Sequence, residues 1–343
     1  MKALLYKGPR AFHFTDVPDP EPGPRDVLVR VKACGICGSD VHGATGETGR
    51  RLPPLIMGHE AAGIVEDVGA EVSSCQVGER VCFDSTVYCN ECAACRQGLY
   101  NRCDKRQVLG VSTPDFKRQG AMAEYVAVPE WIVEPLPESM TFMQAALLEP
   151  VSIAAHAANR AAFDREETVA VMGAGTIGLL VLQTARLKGG TPVISIDIDD
   201  WRLQVATELG ADLTLNPVQC DVVEEVRAEM KADGVDVSFE VVGLEETFQN
   251  TMAMTRTGGQ LVAIGNVRKL VEINLQKLVS RELTFRGSYA SAGEFGLSVE
   301  LVASGQVNVE PLISDVMPLS EGARAFERLH KADENLIKIV LEP

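Results

Sequence analysis

Four closely spaced cysteines carry the most informative chemistry of this sequence: Cys89, Cys92, Cys95 and Cys103. Four thiolates at such spacings can close a tetrahedral zinc site. A disulfide framework is the alternative, and the odd total of nine cysteines disfavours it. Because a site with four protein ligands leaves no position for a substrate, the cluster predicts a metal protein and leaves the function to other residues.

A glycine-rich turn at residues 173–178 follows the G-x-G-x-x-G pattern, between an apolar strand and an apolar helix. Such a turn lets the backbone approach a pyrophosphate, and the helix N-terminus offers free N–H groups. Asp197 follows Gly178 by nineteen residues, where a carboxylate binds a ribose and repels a 2′-phosphate. The pattern favours NAD over NADP, with a turn that binds no nucleotide as the alternative. The predicted cofactor contacts are Gly173, Gly175, Thr176, Ile177, Gly178, Asp197 and Arg202.

A second set of potential metal ligands is scattered along the chain: Cys37, His59, Glu60 and Glu149. Taken singly, each has an ordinary explanation, as a buried thiol, a hydrogen-bonded histidine, a surface acid or a carboxylate at a helix start. Spacing alone therefore leaves metal binding at these positions open.

The composition is that of a globular protein with room for about two domains, since the chain has 343 residues, 46% of them hydrophobic and 23% charged. A formal charge of −16 disfavours nucleic acid and anionic membrane surfaces as partners and favours a small molecule. The N-terminus lacks the pattern of a secretory signal, and no apolar run is long enough to span a membrane. We therefore expect a cytoplasmic protein.

The predicted elements divide the chain into two kinds of structure. Residues 1–150 show short strands, such as 27–31, 61–68 and 121–128. From residue 168 strands alternate with helices, which predicts an α/β domain with a parallel sheet covered on both faces. The last 55 or so residues return to mixed elements and end in a strand at 337–341, which favours completion of the first domain by the C-terminus.

The order of these motifs resembles that of the zinc-dependent medium-chain dehydrogenases over nearly the whole chain. The resemblance rests on Gly35-Ile36-Cys37-Gly38-Ser39-Asp40, on Gly58-His59-Glu60, on the four cysteines and on the glycine turn. Glu149-Pro150 is similar in particular to the polyol (sorbitol-type) and threonine dehydrogenase branches, because simple alcohol dehydrogenases carry a cysteine ligand there. The resemblance implies a GroES-like, mostly-β catalytic domain (residues 1–152, completed by 287–343). It also implies a doubly wound Rossmann NAD-binding domain (residues 153–286).

The resemblance further implies two zinc ions per chain. A catalytic zinc would be held by Cys37, His59 and Glu60, with Glu149 as a second carboxylate, and a structural zinc by the four-cysteine lobe. Such a zinc acts as a Lewis acid on an alcohol whose carbon passes hydride to NAD. Ser39 and His42 look like the family's proton relay to solvent, and a histidine suits that task.

The sequence therefore predicts an NAD-dependent zinc dehydrogenase that oxidises a secondary alcohol, with a polyol or sugar as substrate (alditol to ketose). A threonine-type amino-alcohol dehydrogenase is the alternative, although Glu91 stands where that branch has a histidine. In the sorbitol branch an Arg-Tyr pair contacts the polyol, and Ala290-Ser291 replaces it here. Arg50 and Arg51 could meet a phosphate on the substrate. By analogy with relatives that join at a sheet edge near residues 260–273, we expect a homodimer or homotetramer.

Overall fold

The computed structural model describes residues 1–112 and 117–343, which form two compact units. The first unit comprises Met1–Ser152, Ser291–Gly305 and Val309–Pro343. The second unit comprises Ile153–Ala290 and Gln306–Asn308. The C-terminal residues thus pack with the N-terminal ones, and the second unit interrupts the first in the sequence.

The elements up to residue 160 are mostly short strands. In chain order they are β1 (Lys2–Gly8), β2 (Ala11–Asp16), β3 (Asp26–Gly35), α1 (Gly38–Ala44), β4 (Leu55–Ile56), β5 (Glu60–Val68), β6 (Arg80–Phe83), β7 (Thr86–Val87), α2 (Ala93–Arg96), β8 (Gln107–Val108), β9 (Val111–Ser112), β10 (Lys117–Arg118), β11 (Tyr125–Pro129), β12 (Val133–Pro135), α3 (Phe142–Ala145) and α4 (Leu148–Arg160).

The remaining elements alternate between strand and helix before the chain returns to the first unit. They are β13 (Glu167–Met172), α5 (Thr176–Leu187), β14 (Gly190–Ile196), α6 (Asp200–Glu208), β15 (Leu213–Leu215), α7 (Val222–Met230), β16 (Val235–Glu240), α8 (Glu245–Met254), β17 (Thr255–Ala263), α9 (Leu275–Ser280), β18 (Thr284–Gly287), α10 (Phe295–Ala303), β19 (Ile313–Pro318), α11 (Gly322–Lys331) and β20 (Lys338–Glu342).

The main sheet of the first unit has seven strands, in the order β12-β6-β5-β3-β20-β19, with β11 also paired to β3. Strand β3 buries alternate residues, Val27, Val29 and Val31, as expected for a strand with one face on a core. The C-terminal strand β20 runs antiparallel to β3 and pairs Val340 with Gly35. On its other side β3 pairs Gly35 with Glu60, the first residue of β5. Three distant parts of the chain therefore meet where β3 ends.

The second unit is built on a six-stranded parallel sheet in the order β15-β14-β13-β16-β17-β18. This is the strand order of the doubly wound dinucleotide-binding fold. Strands β13, β14 and β16 are buried over most of their length, as in a parallel sheet covered on both faces. The predicted α/β class is confirmed.

The structure shortens the strand predicted at residues 121–128. Strand β11 begins only at Tyr125, because the preceding apolar residues bond to two other segments. The Met122 N–H donates to the carbonyl of Met57, and the Met122 carbonyl accepts from Leu4. In the described ranges, no helix is both long and apolar enough to cross a bilayer.

Candidate metal centres and cofactor site

The end of β3 brings three potential metal ligands together. Cys37 is the N-cap residue of α1, and Glu60 opens β5 directly after His59. One ligand atom of each of Cys37, His59 and Glu60 lies within 4.8 Å of the others. A Cβ on Gly35 would lie 2.5 Å from Glu60 Oε2, so only glycine at that position leaves room for the carboxylate. The structure thus brings the Cys37 thiol together with an imidazole and a carboxylate that come more than twenty residues later in the sequence.

A buried lysine completes this cluster and was missed by the sequence analysis. The Lys338 ammonium donates to both carboxylate oxygens of Glu60, at 2.8 and 2.6 Å, and to the carbonyl of Ile36 at 3.1 Å. Both charged side chains are 1% exposed. Burial lowers the pKa of Lys338, but Glu60 and Cys37 raise it, and the net shift is upward. The available sequence signal was a lone lysine in the apolar stretch 337–341.

His59 faces a second buried ion pair. Its Nδ1 lies 3.5 Å from Asp40 Oδ2, and the other Asp40 oxygen accepts from Arg51 Nη2 at 2.7 Å. A carboxylate behind a histidine is typical of metal sites, where it fixes the ring and leaves the opposite nitrogen for the ion. Arg51 is 5% exposed and committed to Asp40, so the structure gives no support to phosphate binding by Arg51.

Glu149 lies in the first turn of α4, close to the three ligands but outside the set that meets within 4.8 Å. Its Oε1 accepts a hydrogen bond of 2.6 Å from the Ser85 hydroxyl. Burial raises the pKa of the Glu149 carboxyl to about 8; His59 lowers it, whereas Glu60 and Cys37 raise it. The electrostatic contact with all three residues places Glu149 at the edge of the same cluster.

The donor set fits a zinc ion. Burial raises the pKa of the Cys37 thiol to about 12 although Lys338 lowers it, so a thiolate here would need the charge of a bound metal ion as well. Two buried atoms, His59 Nδ1 and Asp40 Oδ2, have no hydrogen-bond partner, and a metal on the opposite ring nitrogen would favour the tautomer in which the Nδ1–H faces this carboxylate. Thiolate, imidazole and carboxylate are the ligands zinc takes in catalytic sites.

Ser39 and His42, the predicted proton relay, both lie on α1 and are exposed. The Ser39 hydroxyl accepts from Arg51 Nη2 at 3.4 Å and also hydrogen-bonds Cys37. Ser39 thus contacts the cluster, whereas His42 lies in the last turn of α1, and the roles of both residues remain predictions.

The four-cysteine lobe forms a second cluster between β7 and β8, built around α2. All four thiols lie within 4.8 Å of one another and none is in a disulfide. The Cys92 and Cys95 sulfurs are 3.5 Å apart and the Cys89 and Cys95 sulfurs 3.9 Å apart. A tetrahedron with Zn–S bonds of about 2.3 Å has S···S edges of about 3.8 Å, so the lobe matches a zinc tetrathiolate. The backbone N–H of Cys95 lowers the pKa of Cys92 to about 6, which favours the thiolate.

We expect Cys103→Ser to release this zinc and to lower the unfolding midpoint on the order of 10 °C, because loss of a metal costs on the order of 4 kcal/mol. Cys103 is buried and its Sγ accepts from the Cys89 N–H at 3.4 Å. Zinc analysis and calorimetry measure both effects. Cys220→Ser, in the second unit, is the control and is expected to keep the parental zinc content. An unchanged zinc content in Cys103→Ser contradicts the assignment.

The glycine turn of the second unit has the geometry of a phosphate-binding loop. A Cβ on Gly178 would lie 1.7 Å from the Gly173 carbonyl oxygen, so the turn closes only with glycine there. Gly175 is the N-cap of α5, and a Cβ there would meet nothing within 4 Å. Packing within the protein therefore does not require glycine at 175, whereas the close approach of a ligand to the helix N-terminus does. Thr176 and Ile177 follow in the first turn of α5.

Asp197 lies one residue after β14 and holds the glycine turn. Its two oxygens accept from the N–H groups of Ala174 at 2.6 Å and Asp199 at 3.0 Å. Asp199 in turn caps α6 and lies 3.6 Å from the guanidinium Nε of Arg202. The structure thus brings the predicted acidic residue to the turn, and Arg202 to the next helix beside Asp199.

A doubly wound unit with such a turn, joined to a β-rich unit with a thiol–imidazole–carboxylate cluster, is typical of metal-dependent dehydrogenases. Two family models match the chain: "Alcohol dehydrogenase GroES-like domain" over residues 23–138 and "Zinc-binding dehydrogenase" over residues 176–304. The chain therefore belongs to the zinc-binding dehydrogenases with a GroES-like domain, and it is an oxidoreductase.

Two curated relatives match almost throughout. Sorbitol dehydrogenase of Bacillus subtilis (strain 168) is 32% identical over 347 residues, which covers 100% of this chain and 97% of the relative. D-xylulose reductase A of Aspergillus niger is 34% identical over 336 residues, which covers 95% of this chain and 93% of the relative. These matches confirm the resemblance to the polyol branch.

Two solved structures with bound cofactor are similar to the chain. A zinc-binding dehydrogenase from Sinorhizobium meliloti 1021, bound to NADP, is 32% identical with a TM-score of 0.91 and coverage of 100% of this chain and 99% of that one. An alcohol dehydrogenase from Escherichia coli CFT073, complexed with NADH, is 29% identical with a TM-score of 0.91 and the same coverage. A nicotinamide dinucleotide as cofactor is thus supported, and the matches do not distinguish NAD from NADP.

Proposed function

We propose that this protein transfers hydride between NAD and a secondary alcohol of a polyol or sugar, in the sense of alditol to ketose. The observation that carries the proposal is the cluster of Cys37, His59 and Glu60 within 4.8 Å, with Glu149 beside it. The relatives' names support the substrate class, because one acts on sorbitol and the other on D-xylulose. These names favour a polyol over the threonine-type alternative.

The residues of the first unit have separate tasks in this proposal. Cys37, His59 and Glu60 hold the catalytic zinc, and Glu149 presents a second carboxylate. Asp40 fixes the His59 ring, while Lys338 neutralises Glu60. Ser39 and His42 carry the alcohol proton to solvent. Zinc, when bound, supplies a Lewis acid that acidifies the alcohol. The four-cysteine lobe holds a second, structural zinc, which gives two per chain.

The decisive experiment follows NADH absorbance with a panel of alditols, sugars, inositols, threonine and simple alcohols. We expect the highest kcat/KM with an alditol, together with two zinc ions per chain. If threonine is the best substrate, the amino-alcohol alternative is correct. If a protein that carries two zinc ions oxidises none of the panel, the proposed function is wrong.

Asp197 supports NAD over NADP in this proposal, because its carboxylate would face a 2′-phosphate. We expect Asp197→Asn to reduce the preference for NAD about tenfold, since two like charges about 4 Å apart repel by roughly 1 to 4 kcal/mol near a protein surface. The ratio of kcat/KM values for the two cofactors measures this. Asp200→Asn is the matched control, because that carboxylate accepts from Asn216 and Gln219 instead of the glycine turn. An unchanged ratio in Asp197→Asn contradicts the assignment.

We also propose that the protein is a homodimer or homotetramer in the cytoplasm. Strand β18 is the last strand of its sheet, and the residues around it expose large apolar side chains. These are Val267, Leu270, Ile273, Leu275, Val279 and Phe285, of which Leu270 is 90% exposed. We expect Leu270→Asp to shift the mass in light scattering toward the monomer; a parental mass that is already monomeric contradicts the proposal.

The nine cysteines, none of them in a disulfide, support the proposed location in the cytoplasm, which is a reducing compartment.

A further inference from the structure

A buried polar turn contacts Glu149 at the edge of the metal cluster. It consists of Asp84 and Ser85, which follow β6, and of Thr86, the first residue of β7. All three side chains are buried. The Ser85 hydroxyl donates to Glu149 Oε1 at 2.6 Å, across 64 residues of sequence. Neither the glycine and cysteine motifs nor the ligand spacing pointed to Ser85.

The backbone of this turn is fixed on both sides of Ser85. The Asp84 N–H donates to the carbonyl of Ile132, and the Ser85 carbonyl accepts from Leu109. The Asp84 side chain accepts from the Thr86 N–H at 2.8 Å and from the Ser291 hydroxyl at 3.0 Å. Because these hydrogen bonds restrict the backbone around Ser85, its hydroxyl is offered to Glu149 Oε1 from a defined position.

One oxygen of Glu149 is therefore engaged by a hydroxyl with a single proton to donate, and the other oxygen is left for different partners. We propose that Ser85 is a positioning residue of the catalytic metal site, which holds Glu149 so that only Oε2 is presented to the metal or its surroundings. This rests on the proposed function, in which Glu149 belongs to that site. Groups that orient metal-site carboxylates typically affect metal affinity or activity about 10- to 100-fold.

The test measures release of zinc from the full-length, zinc-loaded protein to a chromogenic chelator. In Ser85→Ala we expect the zinc of the Cys37 cluster to leave at least about tenfold faster, while the four-cysteine zinc leaves at the parental rate. We also expect kcat to fall with little change in KM for NAD, because the glycine turn is in the other unit. The four-cysteine zinc reports on general loss of structure in the first unit.

Three further variants isolate the hydroxyl. Ser152→Ala removes another buried serine beside Glu149, one that bonds only its backbone carbonyl, at 2.7 Å, and is expected to release zinc as the parent does. Ser85→Thr and Ser85→Val have nearly the same shape, so faster release from the valine variant alone supports the proposal even if Ser85→Ala folds poorly.

The outcomes separate the two proposals. Parental release of both zinc ions from a folded Ser85→Ala, or equal release from the threonine and valine variants, overturns the role of Ser85. A parent protein that binds a single zinc and lacks dehydrogenase activity instead overturns the proposed function. The proposed role of Ser85, which rests on that function, is then overturned as well.

Discussion

Replacing Lys338 by methionine is expected to destabilise the first unit by about 3 to 5 kcal/mol, because it leaves the Glu60 carboxylate buried without its counter-ion. Lys338 and Glu60 are each 1% exposed and joined by two hydrogen bonds. Denaturant unfolding of the protein without zinc at the Cys37–His59–Glu60 cluster measures the change. The same variant is expected to weaken binding of the catalytic zinc, because it removes the two hydrogen bonds that hold the Glu60 carboxylate in place.

The double variant Lys338→Met with Glu60→Gln tests the cause. Removing both charges is expected to recover a large part of the stability lost in the single variant, because no buried ion then remains unpaired. Lys331→Met is the surface control, because Lys331 pairs with Glu327 at 2.8 Å on an exposed face of α11 and its loss is expected to leave the unfolding midpoint unchanged. If the Lys338→Met variant is as stable as the parent, Lys338 and Glu60 do not form a buried ion pair in solution.

Replacing Cys37 by serine is expected to lower kcat by about 10³-fold and to remove one of two zinc ions. The size follows from the role of a Lewis acid, which contributes several kcal/mol to the transition state at about 1.4 kcal/mol per tenfold in rate. A serine hydroxyl replaces the thiolate poorly, because its oxygen stays protonated near neutral pH. Metal analysis and steady-state kinetics with the best alditol measure the two effects.

Cys75→Ser is the matched control for this experiment. Cys75 is a half-buried thiol beside Ser74 in the same unit, and its variant is expected to keep two zinc ions and the parental kcat. If Cys37→Ser retains both zinc ions and full activity, Cys37 is not a ligand. If it loses both, the two clusters do not bind metal independently.

Local patterns were sufficient to predict the second unit. The alternation of strands and helices predicted from residue 168 begins with β13, which starts one residue earlier at Glu167, and the apolar helix predicted after the glycine turn is α5. Alternating apolar strands and capped helices are determined by neighbours in sequence, so a single chain carries this information. The order of the strands in the sheet follows from the rules for parallel crossovers more than from particular residues.

The cluster at the end of β3 was only partly predictable. Cys37, His59 and Glu60 have the residue types that zinc prefers, and the resemblance joined them into one site. Lys338 and Ser85 act on that site from 278 and 64 residues away in sequence, through Glu60 and Glu149. Nothing in a lysine within a strand or a serine before β7 tells which carboxylate it will meet, because that depends on the register of β20 against β3 and on the path of the turn after β6.

The position of β20 beside β3 has a consequence for synthesis of the protein. Lys338 follows Glu60 by 278 residues, so Glu60 leaves the ribosome well before Lys338 is translated. While the second unit is being made, the N-terminal strands therefore carry an acidic group whose counter-ion has not yet been translated. The sheet is complete only when β20 pairs with β3, so a nascent chain that has not yet reached Lys338 lacks that counter-ion for Glu60 at the Cys37–His59–Glu60 cluster.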